Sequence, residues 1–229
     1  MYKLMLSPLA GALLLGAAVL FISGPARASA ELDKVVASPK TRCDAAKDWS
    51  LELGSGVAFS NIRAPHLDGY TYIPVKLTAS LKVDEVDLDD FAGGIFRGQT
   101  EFFFRGYWNQ IINGPEHRIV GATFGPRYNF VQPGWKLVPF IETSVGFGFI
   151  DSNQTHGPLS HDDHLRGMGE DFNFTFSVAV GARYDLDETW FMRVSVSYQH
   201  FSNAGLSEPE RSNRAIDAVG PELAFGANF

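Results

Sequence analysis

An all-β fold, an eight-stranded antiparallel transmembrane barrel of the outer-membrane type, is what this sequence predicts, and three observations carry the prediction. The chain opens like an exported protein. It has no later run of eighteen apolar residues that could cross a bilayer as a helix. Its apolar residues, 45% of the 229, alternate with small or polar ones in eight separate stretches. Successive side chains of a strand point to opposite faces, so a chain that is apolar without apolar runs puts its apolar side chains on one side of strands.

The first thirty residues carry one early cation, Lys3, an apolar run from about Leu9 to Ile22, and small residues ending in Ala28, Ser29 and Ala30. That is the pattern of a secretory signal peptide cut after Ala30, because the run is too short for a comfortable membrane span and ends in an A-x-A site. The bland alternative is an uncleaved anchor. Removing Lys3 and Arg27 moves the formal charge from −7 to −9 and leaves about 199 residues, enough for one domain. No basic stripe suggests nucleic acid as a partner. The single cysteine, Cys43, excludes an internal disulfide, and no lipobox-like context precedes it. Residues 31–48 are polar and mixed and read as a periplasmic lead, so the expected organisation is 1–30 signal peptide, 31–48 lead and 49–229 barrel.

The barrel staves follow in order. In 49–60, Trp49, Leu51, Leu53, Val57 and Phe59 alternate with Ser50, Glu52, Gly54, Gly56 and Ala58. In 71–83, Ile73, Val75, Leu77, Ala79, Leu81 and Val83 share a face. The stretch 100–111 sets Phe102, Phe104 and Trp108 against Glu101, Arg105 and Asn109, with Phe103 and Tyr107 on the polar side. In 118–130 the apolar set is Val120, Ala122, Phe124, Tyr128 and Phe130. In 136–149 it is Leu137, Ile141, Val145, Phe147 and Phe149, opposed by Glu142, Ser144, Gly146 and Gly148. The alternation is cleanest in 171–184, where Phe172, Phe174, Phe176, Val178, Val180 and Tyr184 oppose Asn173, Thr175, Ser177, Gly181 and Arg183. Stretches 189–202 and 215–229 complete the set.

Glu52, Glu101, Arg105, Glu142, Arg183, Arg193 and Glu222 all fall in the polar phase. Charges inside and aromatics outside fit a barrel closed so that no backbone edge meets lipid. A lipocalin-like soluble barrel also alternates but with the reverse polarity. The size and aromatic content of the apolar face, opposed by Gly, Ala, Ser and paired charges, favour the membrane. Eight staves enclose a lumen that side chains fill, so no pore is expected. With both termini periplasmic, the connections after staves 1, 3, 5 and 7 are extracellular, the longest being 151–170. The acidic segment 84–98 falls on the periplasmic side, is long for such a turn, and has room for a short helix.

The last two staves hold the candidate chemistry. Trp190, Met192, Val194, Val196 and Tyr198 point outward, and parity continues that face through His200 and Ser202. In the final stave Val219, Pro221, Leu223, Phe225, Ala227 and Phe229 point outward, and the phase extends back to Asp217. Neighbouring antiparallel staves bring the end of one beside the start of the next, so Asp217 shares one outer face and one end with His200 and Ser202. Glu222 has inward parity and lies farther along. A nucleophile, a base and an orienting acid need this mutual geometry. Polar groups are tolerated there, because charged residues on a lipid face cost only about 0–1 kcal/mol near the interface. A bland interfacial cluster is the competing reading. A serine facing the outer leaflet of a Gram-negative envelope would stand level with the ester-linked acyl chains of lipid A and suit an esterase.

Three stretches, PFIE at 139–142, FSVAVGARY at 176–184 and above all HFSNAGL at 200–206, resemble the outer-membrane lipid A 3-O-deacylases, the PagL-like members of the acyloxyacyl hydrolase group. Upstream of about residue 98 the likeness is architectural. The resemblance implies an outer-membrane esterase acting on lipopolysaccharide, with His200 as base, Ser202 as nucleophile, and an oxyanion hole from the Asn203 side chain and N–H groups near Ala204 and Gly205. The family's acid is usually Glu in an N-x-G-apolar-E context; the matching stretch here is NRAID at 213–217, so Asp217 stands in its place after a longer loop. No metal or other cofactor is required by such a mechanism. Lipid A and outer-membrane lipid are the implied partners, and a homodimer is left open.

Other readings stay in view. His161-Asp162-Asp163-His164 with nearby His156 could be taken for a metal cluster, but the spacing matches no strong ligand pattern and a solvated connector is the simpler reading. A non-enzymatic barrel for adhesion or envelope integrity would use its loops rather than its wall. A phospholipase or acyltransferase barrel would share the chemistry and differ in substrate.

Overall fold

The computed structural model describes residues 48–60, 69–86, 88, 91–152, 168–206 and 215–229. Residues 1–30, expected to be a signal peptide, most of residues 31–48, expected to be a lead, Cys43, the candidate histidines from His156 to His164, and Asn213 lie outside the described residues. The strands are β1 (Trp49–Gly56), β2 (Ala58–Phe59), β3 (Thr71–Lys82), β4 (Gln99–Asn113), β5 (Arg118–Asn129), β6 (Leu137–Ile150), β7 (Phe172–Asp185), β8 (Trp190–Ser202) and β9 (Ile216–Asn228). β1 and β2 form one stave interrupted at Val57, with its phase carried through: Gly56 faces Glu222 and Phe59 faces Val219 along β9. Each strand pairs antiparallel with its neighbours, and β1 pairs with both β3 and β9, which closes an eight-stave barrel. Closure leaves no edge, so the backbone groups of the wall are satisfied within the wall.

The polarity is that of a membrane barrel. Leu53, Leu77, Phe104, Phe124, Phe149, Val194 and Leu223 lie exposed on the outside, whereas Glu52, Glu101, Arg105, Glu142, Arg183 and Arg193 are buried inside. A soluble barrel would reverse this.

The interior is filled in two layers. Toward the end that carries the chain termini it is ionic. Arg127 sits opposite Glu101 on β4 and opposite Glu142 on β6. Its guanidinium reaches Glu52 and Glu142 at 2.7 Å each and Glu101 at 3.2 Å. Arg193 adds contacts to Glu52 at 2.8 Å and Glu101 at 3.3 Å, and Arg105 reaches Glu142 at 2.9 Å. Arg183 pairs with Asp185 at 2.6 Å. These arginines also lie over the rings of Phe103, Phe140 and Phe191, so each cation has both an anion and a π-face in place of water.

The layer toward the opposite end is apolar, built from Tyr72, Tyr107, Ile111, Ile119, Ile150, Met168, Phe201 and Ile216. Phe103 and Tyr107, set on the polar side of their stave by the sequence, are interior fillers. Tyr107 lies in space that only glycine leaves: a Cβ on Gly121 or Gly148 would stand 2.5 or 2.4 Å from its hydroxyl. That hydroxyl donates to the Phe147 carbonyl at 3.0 Å.

Among its described residues the segment 84–98 holds one short turn of 3-10 helix, Phe91–Gly94, with positive φ of 52° and 70° at Ala92 and Gly93. The segment is tied across the end of the barrel. Arg97 Nη1 donates to the Val131 carbonyl at 2.7 Å, and the Val131 N–H donates back to the Arg97 carbonyl at 3.0 Å. The Asp84 carboxylate accepts the Thr100 N–H at 2.6 Å.

Candidate active site

The candidate site lies at the end of the barrel opposite the termini, where β8 stops and β9 begins. β8 has Val and Ser in alternation at its centre, residues 194–197, which suits a pleated wall with one lipid face, and the alternation of burial persists to Ser202. His200 is directly opposite Asp217 on β9 and Phe176 on β7, while Ser202 is opposite Phe174. Directly opposed residues have Cβ atoms about 4.5–5.5 Å apart, a span that a carboxylate and the near nitrogen of an imidazole together bridge. His200 Nδ1 and Asp217 Oδ1 are 2.8 Å apart. Both side chains are partly exposed, at 35% and 27%. The Tyr198 hydroxyl, one step down the same face, donates to the same oxygen, Asp217 Oδ1.

After Ser202 the chain turns sharply. The Leu206 N–H donates to the Asn203 carbonyl at 3.1 Å, closing a four-residue turn. Its central residues, Ala204 and Gly205, take positive φ of 55° and 83°. Left-handed backbone is costly for alanine, about 1–2 kcal/mol, and the Asn203 side chain holds it in place. Asn203 Oδ1 accepts the Gly205 N–H at 3.0 Å, and Asn203 Nδ2 donates to the Met168 carbonyl at 3.3 Å. The turn presents the Ala204 N–H to Ser202 Oγ at 3.3 Å.

Of the three residues expected around an oxyanion, Ala204 brings its N–H to the serine. Asn203 is fully buried and engaged with backbone groups, and the Gly205 N–H is taken by Asn203. Glu222 points into the barrel, where Lys76 Nζ lies 2.5 Å from its carboxylate and the Ser197 hydroxyl donates to it. Asp217 is the acid beside His200.

The lipid A 3-O-deacylase (PagL) family model matches residues 92–225, more than half of the chain. The chain belongs to that family. It is accordingly an enzyme of the bacterial outer membrane and a hydrolase, and the matched region contains β4 through most of β9 with every candidate residue. Among solved structures, the chain is similar to the outer membrane enzyme PagL, with 17% identity, 77% of this chain and 97% of that chain covered, and a TM-score of 0.46. It is similar to Neisserial surface protein A, with 10% identity, 79% and 95% coverage, and a TM-score of 0.50. The N-terminal β-barrel domain of Pseudomonas aeruginosa OprF shares 13% identity over 80% and 98%, with a TM-score of 0.46. At such identities the likeness to solved structures bears on fold alone. None of the curated proteins matches the chain.

Side-chain parity put His200, Ser202 and Asp217 on one face, and the structure brings His200 and Asp217 together; the parity reading passed over Tyr198. The signal was present, since Tyr198 shares the outward phase, but a lipid-facing tyrosine reads first as an interfacial aromatic. The tight turn at Ala204 had no such signal, because alanine carries no preference for positive φ.

Proposed function

We propose that the chain removes the 3-O-linked hydroxyacyl chain from lipid A of lipopolysaccharide by a serine-histidine-aspartate mechanism. Residues 1–30 would direct export, and the end of the barrel opposite the termini would stand level with the outer leaflet. The observation that carries the mechanism is the 2.8 Å contact of His200 Nδ1 with Asp217 Oδ1 on the face that also bears Ser202. With Nδ1–H donated to the carboxylate, the imidazole keeps Nε2 unprotonated, the state a general base requires.

His200 takes the Ser202 proton as Oγ bonds to the ester carbonyl carbon. The Ala204 N–H is the donor nearest the charge that develops on the carbonyl oxygen. The tetrahedral species collapses with cleavage of the bond to the 3-oxygen of the sugar, which leaves with the proton carried by His200. A water, deprotonated by His200, then attacks the acyl-serine and releases the 3-hydroxy fatty acid, returning the proton to Ser202. One water is consumed. On the lipid face Ser202 would meet acyl esters arriving by lateral diffusion, and Phe174 and Phe176, opposite Ser202 and His200, would offer an apolar surface for the chain.

Expression in a strain of defined lipid A, followed by mass spectrometry, tests the proposal. The wild type is expected to remove one hydroxyacyl chain, and Ser202→Ala and His200→Asn are expected to leave lipid A intact. Deacylation that survives either substitution sinks the mechanism, and a wild type that removes nothing sinks the activity.

A further inference from the structure

We infer that Tyr198 is a positioning residue of the hydrolytic site: its hydroxyl and His200 Nδ1 converge on a single carboxylate oxygen, Asp217 Oδ1. The inference rests on the hydrolytic reading above and adds to it a residue that touches neither substrate nor the reacting atoms.

Aspartate is a short acid, and its carboxylate must be held against an imidazole on the neighbouring strand at a partly exposed wall position. Register does half of this by setting His200 and Asp217 directly opposite each other. Register alone does not set the terminal torsion of the carboxylate, which is broad and roughly two-fold. A second donor on the same oxygen helps to set it. Tyr198 supplies it from the diagonal position, since it pairs with Val219, two residues beyond Asp217 along β9 and on the same face. Diagonal neighbours lie about 7–8 Å apart, a reach that a tyrosine covers.

The ring is anchored as well. Tyr198 sits between Val178 on β7 and Val219 on β9, and a hydroxyl on a ring held by two β-branched neighbours loses little entropy when it binds. An ionised carboxylate can accept from both donors at once, and in that form it orients a neutral imidazole with Nδ1 protonated. Tyr198 thus acts through Asp217, and its effect belongs in the chemical step rather than in lipid binding.

The experiment uses the full barrel in detergent with lipid A, reading hydroxy fatty acid release. Tyr198→Phe deletes only the hydroxyl and leaves the ring on the lipid face. It is expected to lower kcat by about tenfold, as for loss of a hydrogen bond to a charged group, with KM unchanged within about twofold. In the Asp217→Asn background the same substitution is expected to change kcat by less than about twofold, since the two residues act as one unit. A Tyr198→Phe barrel with wild-type kcat overturns the inference, as does an equal loss in both backgrounds or a loss confined to KM. Should the phenylalanine variant not fold, Tyr198→Gln, which keeps a donor, is expected to exceed Tyr198→Leu in kcat, and equal rates overturn the inference. If hydrolysis does not depend on Ser202 at all, the hydrolytic reading fails and the role of Tyr198 falls with it. A Ser202-dependent enzyme that is indifferent to Tyr198 refutes the positioning role alone.

Discussion

At the scale of single residues, two acids compete for the role beside His200, and side-chain parity separates them. Asp217 and Glu222 are five positions apart on β9, so one faces lipid and the other faces the lumen. Asp217→Asn is expected to slow deacylation by roughly 10²–10⁴-fold, because the imidazole loses the charge that selects its tautomer and stabilises its protonated form. Glu222→Gln is expected to leave the rate near wild type and to lower barrel stability, since Lys76 would then lack its buried anion. Rates and unfolding midpoints of both variants check this, and a deacylation loss confined to Glu222→Gln would refute the assignment. The shared face of His200, Ser202 and Asp217 was legible in the sequence, because period-two alternation extrapolates across a strand end. The orientation of Asn203 could not. Its side chain answers to the turn and to the Met168 carbonyl, a partner 35 residues away.

At the scale of elements, strand positions followed from alternation to within a residue or two, and glycine did what alternation does not describe. Gly146 and Gly148 read as the small face of β6; in the barrel Gly148 is a seat for Tyr107 from β4. Gly148→Val would place a side chain where even a Cβ stands 2.4 Å from the Tyr107 hydroxyl. The expected cost is about 1–3 kcal/mol, as for an overpacked core, visible as a lower urea midpoint. An unchanged midpoint would mean that Tyr107 is not held there. The connection 84–98 shows the converse. Its length gave room for a short helix, and positive φ at Ala92 and Gly93 belongs to the single turn Phe91–Gly94 that it holds; beyond that turn the Arg97 backbone pairs with Val131 as well as with Gly94.

At the scale of the whole molecule, the ionic layer acts as one unit. Arg127 touches three acids drawn from β1, β4 and β6, and Arg193 and Arg183 stand directly opposite each other across β7 and β8, a like-charge pair that only the shared acids make tolerable. Arg127→Ala is expected to destabilise the barrel by about 3–5 kcal/mol, the cost of leaving buried carboxylates without their cation. Reversible unfolding from detergent or bilayer measures it. Deacylase activity of the variant that does fold is expected to survive, because the site lies at the other end of the wall; loss of activity without loss of stability would contradict that separation.

Alternation, an export-like start and the HFSNAGL run determined the fold class, the polarity of the wall and the face that carries His200, Ser202 and Asp217. These follow from a period of two, which is local and needs no knowledge of neighbours. The tertiary structure decided which groups meet: Arg127 with three acids, Tyr107 with two glycines, Tyr198 with Asp217, and the Ala204 N–H with Ser202. The first three join different strands and depend on register and closure, which only the folded barrel sets; the last is local to the turn that Asn203 braces.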